Sequence, residues 1–97
     1  LFYRLERIIL KSTNNRYRYC TSLYKIVIPN SVTEIGNRAF YGCKSLEEIV
    51  IPNSVTYIGP GAFKACTFLR RIVLPKSLAV DETDIIDDVT CVVVRKE

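Results

Sequence analysis

Histidine, methionine and tryptophan are absent from the 97 residues. Without histidine the chain lacks the usual general base, the commonest zinc ligand and every Ser-His or Cys-His pair, so no enzymatic site is expected. Glycine and proline are scarce, at four each. Ile58-Gly59-Pro60-Gly61 holds two of the glycines, but neither Gly-Lys-Ser/Thr nor a long helix follows, and the segment reads as a turn rather than a phosphate cradle. The chain starts at Leu1 rather than Met, as in an excised or processed segment. Residues 1–10 lack the apolar core of about 7 to 15 residues that marks a signal peptide, and no stretch approaches the ~20 apolar residues that span a bilayer. A soluble chain is expected, its compartment left open. Acidic residues are also unevenly placed: residues 1–80 carry 12 basic and 4 acidic side chains, whereas 81–97 carry 2 and 6, leaving a body of +8 and a tail of −4.

What is present is a repeat. Residues 26–48 and 49–71 align without a gap and are identical at 14 of 23 positions. A third copy begins at Ile72-Val73-Leu74-Pro75 and departs after Leu78, and a preceding one is visible as Cys20-Thr21-Ser22-Leu23. Self-similarity at a period of roughly 20 to 29 residues points to a solenoid, each unit burying its apolar face against its neighbours and the ends needing caps. Leu23-x-x-Ile26-x-Ile28, Leu46-x-x-Ile49-x-Ile51 and Leu69-x-x-Ile72-x-Leu74 each end in an apolar pair two residues apart, the spacing of one face of a strand. Pro29, Pro52 and Pro75 close those strands. Val32, Ile35, Val55 and Ile58 supply a second apolar segment. Ala39-Phe40 and Ala62-Phe63 are expected to begin a short helical or 3₁₀ turn, with the two rings stacked as an internal ladder.

The pattern Ile-Pro-x-Ser-Val-Thr-x-Ile-Gly-x-x-Ala-Phe-x-x-Cys-x-x-Leu-x-x-Ile resembles the BspA-type leucine-rich repeat over about residues 20–78. The resemblance implies an α/β solenoid: a short right-handed array with one parallel strand per turn and degenerate capping ends. It also implies a cell-surface or secreted setting and a role in adhesion or protein binding, with no catalytic residue to carry over. The strand position often occupied by Thr in that family is Val here. One domain spanning 1–97 is expected, comprising a degenerate N-terminal turn (1–25), full repeats (26–48 and 49–71), and a partial repeat with a C-terminal cap (72–97).

Alternation along the strands assigns Lys25 and Val27, Glu48 and Val50, and Arg71 and Val73 to the outward, concave sheet face. One column is all Val and the other runs Lys, Glu, Arg. An exposed apolar stripe marks a partner site, while β-branched residues also favour strands for their own packing; both readings stay open. Cys20, Cys43 and Cys66 recur at one position of successive repeats and are read as stacked, reduced, buried thiols, with Cys91 in the core of a last strand. No metal set and no cofactor is expected. Arg16-Tyr17-Arg18-Tyr19 reads first as a half-exposed strand with Tyr on one face and Arg on the other, and second as a basic patch for an acidic protein or for nucleic acid. Asp81 to Asp88 lacks the glycine turn and D-x-D-x-D spacing of a calcium loop and reads as a solvated link with Ile85 and Ile86 turned inward.

The function expected from these features is a non-enzymatic module that binds a partner protein, host or cell-surface, through Lys25, Val27, Glu48, Val50, Arg71 and Val73. Two alternatives stand beside it: a spacer or terminal cap of a longer array that self-associates through ends or edges, and weak nucleic-acid binding by the basic N-terminal turn. No small-molecule substrate and no membrane span are expected.

Overall fold

The Ile-x-Ile pairs form strands because β-branched side chains two apart can bury one face while their neighbours stay in water. In the computed structural model, which describes residues 2–4, 17–87 and 91–96, the chain order is β1 (Phe2–Arg4), β2 (Lys25–Val27), β3 (Glu34–Ile35), β4 (Glu48–Val50), β5 (Tyr57–Ile58), β6 (Arg71–Pro75), α1 (Glu82–Ile85) and β7 (Val92–Lys96). Two parallel sheets result. One holds five strands in the order β1-β2-β4-β6-β7, and the other pairs β3 with β5. The partners Phe2, Lys25, Glu48 and Arg71 lie one sequence period apart at each step, so the period of the repeat is also the register of the sheet. Pro75 is the last residue of β6, and the chain leaves β2 and β4 just before Pro29 and Pro52.

Between the sheets lies the core. Leu23, Ile26, Ile28, Val32 and Ile35 are buried, as are their counterparts in the next two turns as far as Leu78. The short helical turns expected after Ala39 and Ala62 do not form. The N–H groups of Ala39, Tyr41 and Cys43 bond within the turn, to Gly36, Arg38 and Phe40. Those of Arg38, Phe40 and Gly42 instead donate to Pro60, Ala62 and Lys64 of the next turn, at 3.1, 2.8 and 2.9 Å. A helix needs every N–H for its own ladder; here every second one ties two turns together.

That alternation requires left-handed backbone at fixed places. Tyr19, Gly42 and Ala65, equivalent positions in successive repeats, have φ of 61°, 74° and 59°; Arg38 and Gly61 have 53° and 73°. Each non-glycine there bears a cost of about 1 to 2 kcal/mol that glycine escapes. At Gly59 a Cβ would fall 2.6 Å from the Asn37 backbone nitrogen, so the turns pack too closely there for any side chain.

The aromatic ladder forms and is longer than the two Phe residues. Tyr17 stacks on Phe40 with centroids 5.2 Å apart and planes 9° from parallel, and Phe40 on Phe63 at 5.3 Å and 3°. Ile86, one further repeat along, continues the column: Phe63 donates to Ile85 as Phe40 does to Ala62. Residues 17–19 are therefore a turn and not the alternating strand expected, with Tyr17 turned into the stack and Tyr19 outward.

The C-terminal end departs from the repeat in two ways. Asp81 stands where Ile35 and Ile58 stand in earlier turns, and it caps α1, its carboxylate accepting from the Thr83 N–H at 3.0 Å and from the Thr83 hydroxyl at 2.7 Å. The acidic link is thus a capped helical turn, with Ile85 and Ile86 buried as expected and Asp88 outside the described residues. β7 then pairs Val92 with Arg71, where a full repeat would bring Val94, so two residues are lost between Ile86 and Val92. Along β7, Val93 lies opposite Ile72 and Arg95 opposite Leu74, which puts a guanidinium where earlier strands place an apolar residue. Arg95 donates to the carbonyls of Leu78 (2.6 Å), Pro75 (3.2 Å) and Val80 (3.4 Å) and pairs with the Glu82 carboxylate at 3.1 Å.

Phe63→Ala is expected to destabilise the chain by about 3 to 5 kcal/mol, because the stack loses its middle and the cavity has rigid neighbours on both sides. Arg95→Ala is expected to cost about 1 to 3 kcal/mol through the charge-assisted bonds to loop carbonyls that it removes. Urea unfolding of both variants measures the two losses; a Phe63→Ala midpoint equal to the parent's contradicts the packing drawn here.

Candidate functional site

The outward faces of β2, β4 and β6 hold the side chains that the core does not use. Lys25, Glu48 and Arg71 lie in one cross-strand row, and Val50, Val73 and Val94 in the next. The polar row is partly satisfied within itself: Arg71 donates to the Glu48 carboxylate at 2.7 Å, both side chains about half exposed (49% and 47%). At that exposure the pair orients two side chains more than it stabilises the fold.

The Val row is not the continuous open stripe that alternation assigns. Val50 is 39% exposed and Val27 half-buried, but Val73 is only 3% exposed. Val73 sits between Val50 and Val94 on a strand paired on both sides, and β6 and β7 stay paired through five residues, with a further bond from the Lys76 N–H to the Lys96 carbonyl. Alternation gives the direction of a side chain but not the depth of what surrounds it. Open apolar surface remains at Val27 and Val50 and, apart from them, at Val92 on β7; on β2 and β4 a groove of about 570 Å³ is bordered by Lys25, Val27, Val50, Asn53, Ser54 and Lys96. Lys96 was no part of the sequence expectation, because the two-residue shortening that brings β7 into register lies outside the repeat.

On the turn side, Arg18 lies 5.5 Å from the centre of the Tyr19 ring, Tyr19 meets Tyr41 edge to face at 5.6 Å, and Arg38 lies 5.8 Å from the Tyr41 ring centre. Arg16 falls outside the described residues. The cysteines are all free thiols. Cys43 and Cys66 are buried and each donates its thiol to the ladder carbonyl of the preceding turn, Cys43 to Tyr17 and Cys66 to Phe40, both at 3.2 Å. Burial pushes the Cys43 thiol up to about 11 and the Cys66 thiol up to about 12, the opposite of what a nucleophile or thiolate ligand needs. Cys20 and Cys91 are half-buried, and Cys91 precedes β7 rather than lying within it. The hydrogen bonds from Thr83 hold the Asp81 carboxyl below its ordinary range. No helix among the described residues is long and apolar enough to cross a membrane.

Parallel strands stack at the period of the repeat, and each full repeat supplies two of them (β2 and β3, then β4 and β5) rather than the single strand per turn expected. The profile of the BspA type leucine rich repeat region (6 copies) matches residues 5–87. The chain belongs to the BspA-type leucine-rich repeat family. Its fold is shared with a leucine-rich cell surface protein of Faecalibacterium prausnitzii, at a TM-score of 0.78 and 28% identity over 87% of this chain. A leucine-rich repeat protein of Bacteroides ovatus is similar at a TM-score of 0.61 and 28% identity over 86%. The chain spans 23% and 27% of those two proteins. No curated protein matches it. The family is one of repeat modules associated with protein interaction, so its recurring residues carry packing, and the residues that differ between turns are those free to carry recognition.

The burial of the two thiols sets an alkaline limit. In the folded chain the two thiols stay protonated to about pH 11 and 12, while the unfolded chain releases those protons near the ordinary value of 9.0. Their contribution is therefore complete below about pH 9 and is lost as pH rises through the folded values, at about 1.4 kcal/mol per pH unit for each proton. Urea midpoints should fall between about pH 9 and 11, and Cys43→Ala with Cys66→Ala should flatten that fall; an unchanged slope in the double variant contradicts the assignment.

Proposed function

We propose that this chain is a non-enzymatic binding module that holds a partner protein against the outward face of β2 and β4, centred on Val27 and Val50. The observation that carries the reading is the exposure of Val50 beside a self-paired Glu48–Arg71 row, since an apolar surface flanked by satisfied charge gives up little hydration when covered. A partner presenting an apolar side chain next to a carboxylate fits, its apolar part over the valines and its charge near Lys96 at the groove's border. Lys25, Glu48 and Arg71 serve as the polar rim, and Val73 flanks Val50 from the adjacent strand β6. Family membership and the likeness to a cell surface protein support a setting outside the cell. We read the chain as one domain, coiled right-handed as parallel crossovers are in nearly all proteins, with this strand face concave and residues 72–97 as a partial repeat and cap.

A second reading rests on β7, the terminal strand of the five-stranded sheet, where Val92 is 57% exposed. Such an edge is suited to pairing with a further strand, from a second copy or an adjoining repeat.

Val50→Asp is expected to weaken partner binding at least about tenfold while moving stability by less than about 1 kcal/mol. Cross-linking from the outward face identifies the partner, and titration of the purified pair gives the affinity. Lys44→Glu, on an exposed turn, is the control and should bind as the parent does. Equal affinity of Val50→Asp and parent rules out the strand face, and concentration-dependent dimerisation of the parent favours the β7 edge.

A further inference from the structure

Two exposed side chains stand where the following repeat has glycine. Arg38 and Tyr19 have left-handed backbone, and their equivalents one repeat on are Gly61 and Gly42. Neither Arg38 nor Tyr19 belongs to the apolar core. Each nevertheless has a prepared place. A Cβ on Gly61 would approach the Arg38 Cγ to 3.1 Å, and one on Gly42 would approach the Tyr19 Cδ1 to 2.5 Å, so each side chain lies over the bare glycine of the following turn. Strained residues that do not serve the core, with neighbours cut back to make room for them, are the kind of outlier from which a site is inferred.

The two converge on one surface. Arg18, Tyr19, Tyr41 and Arg38 form a continuous row of cation–ring and ring–ring contacts between 5.5 and 5.8 Å. Arg38 and Tyr41 then line a polar cleft of about 580 Å³ together with Lys64 and Asp84. Among the described residues neither Arg38 nor Lys64 is in an ion pair. The cleft therefore offers two cations and one carboxylate, an excess of a single positive charge, beside an aromatic ring. Phosphate chains fit this poorly: Asp84 lines the cleft and the Asp87 carboxylate accepts from the Ala65 N–H at 3.3 Å nearby, so successive phosphates would meet negative charge. A ligand with one anionic group for Arg38 and Lys64, hydroxyl donors for Asp84 and an apolar ring face for Tyr41 fits all four.

We propose that the turn face built from Arg38, Tyr41, Lys64 and Asp84, extended by Tyr19, binds an acidic sugar, a saccharide ring carrying one carboxylate. Its residues belong to the turns and to α1, none to the five-stranded sheet, so it stands independently of the strand-face reading. The carboxylate accepts from the guanidinium and the ammonium, the ring C–H groups lie on tyrosine, and the Asp84 carboxylate accepts from a sugar hydroxyl.

The test uses the full chain and four probes at physiological salt: a glucuronate-terminated trisaccharide, a sialic-acid-terminated trisaccharide, their neutral parent and a short DNA duplex. Saturation-transfer NMR and titration calorimetry are expected to detect at least one acidic sugar, with the neutral parent about tenfold weaker or more. Whether the glucuronate or the sialic-acid probe binds tells which acidic sugar is the source. Arg38→Gly is expected to lose binding about tenfold while raising the unfolding midpoint by about 4 to 8 °C, since the strain is relieved. Lys64→Gln should weaken binding several-fold without unfolding the chain, and Val50→Asp should leave sugar binding unchanged. The proposal is overturned if neither acidic sugar binds, if the neutral parent binds equally, if the duplex binds more tightly than both acidic sugars, or if Arg38→Gly and Lys64→Gln both retain the parent affinity.

Discussion

The backbone bond from one turn to the next, Phe40 N–H to Ala62 carbonyl and its equivalents from Tyr17 and Phe63, is the constraint on which the rest depends. It joins each ladder residue to the one just before its own equivalent in the next turn, and thereby holds equivalent positions in stacked register. Once that register is set, like residues must meet like: aromatic on aromatic, isoleucine on isoleucine, thiol beneath ladder carbonyl. It also takes up the N–H groups a helix would need, which is why the turns are neither α nor 3₁₀ and why left-handed backbone recurs at Tyr19, Gly42 and Ala65. A side chain at those places must lie over its neighbour in the following turn, and glycine at positions 42 and 61 makes that possible.

Stacking in register has the opposite consequence outside. Like charges in a column would repel, and the exposed columns vary in sign: Lys25, Glu48, Arg71 on the strand face; Arg18, Tyr41, Lys64, Asp87 on the turn face. The interior is thus repetitive and the exterior is not, and each face acquires its own chemistry from substitutions that the core does not register. The strand face is apolar where β2 and β4 leave Val27 and Val50 open; the turn face is cationic and aromatic.

Residues 81–96 depart from that stacking. There the aromatic ladder passes to Ile86, a capped helical turn replaces the second-sheet strand, and the exposed Arg95 reaches three loop carbonyls and a carboxylate with its guanidinium. A charge at that place is tolerable because carbonyls and a carboxylate accept from it, and because its side chain keeps access to water.

The sequence by itself determined the period, the strands and the core. Fourteen identities between adjacent repeats and a two-residue spacing of isoleucines leave few folds open, and the burial of Phe40, Phe63, Cys43 and Cys66 follows from their recurrence. Tyr17 and Ile86 stand at the same repeat step, but neither is phenylalanine, so side-chain identity does not mark them as ladder positions. The exposure of Val73 and the nature of the turns were decided only by the tertiary structure. Val73 lies between paired strands, opposite Val50 and Val94, and the turns are not helical because half their N–H groups bond to carbonyls of the next turn. Both depend on partners distant in the chain, and local periodicity carries no information about those. The same holds for the meeting of Tyr19, Tyr41 and Arg38, whose proximity arises from stacking and whose backbone strain no composition reveals.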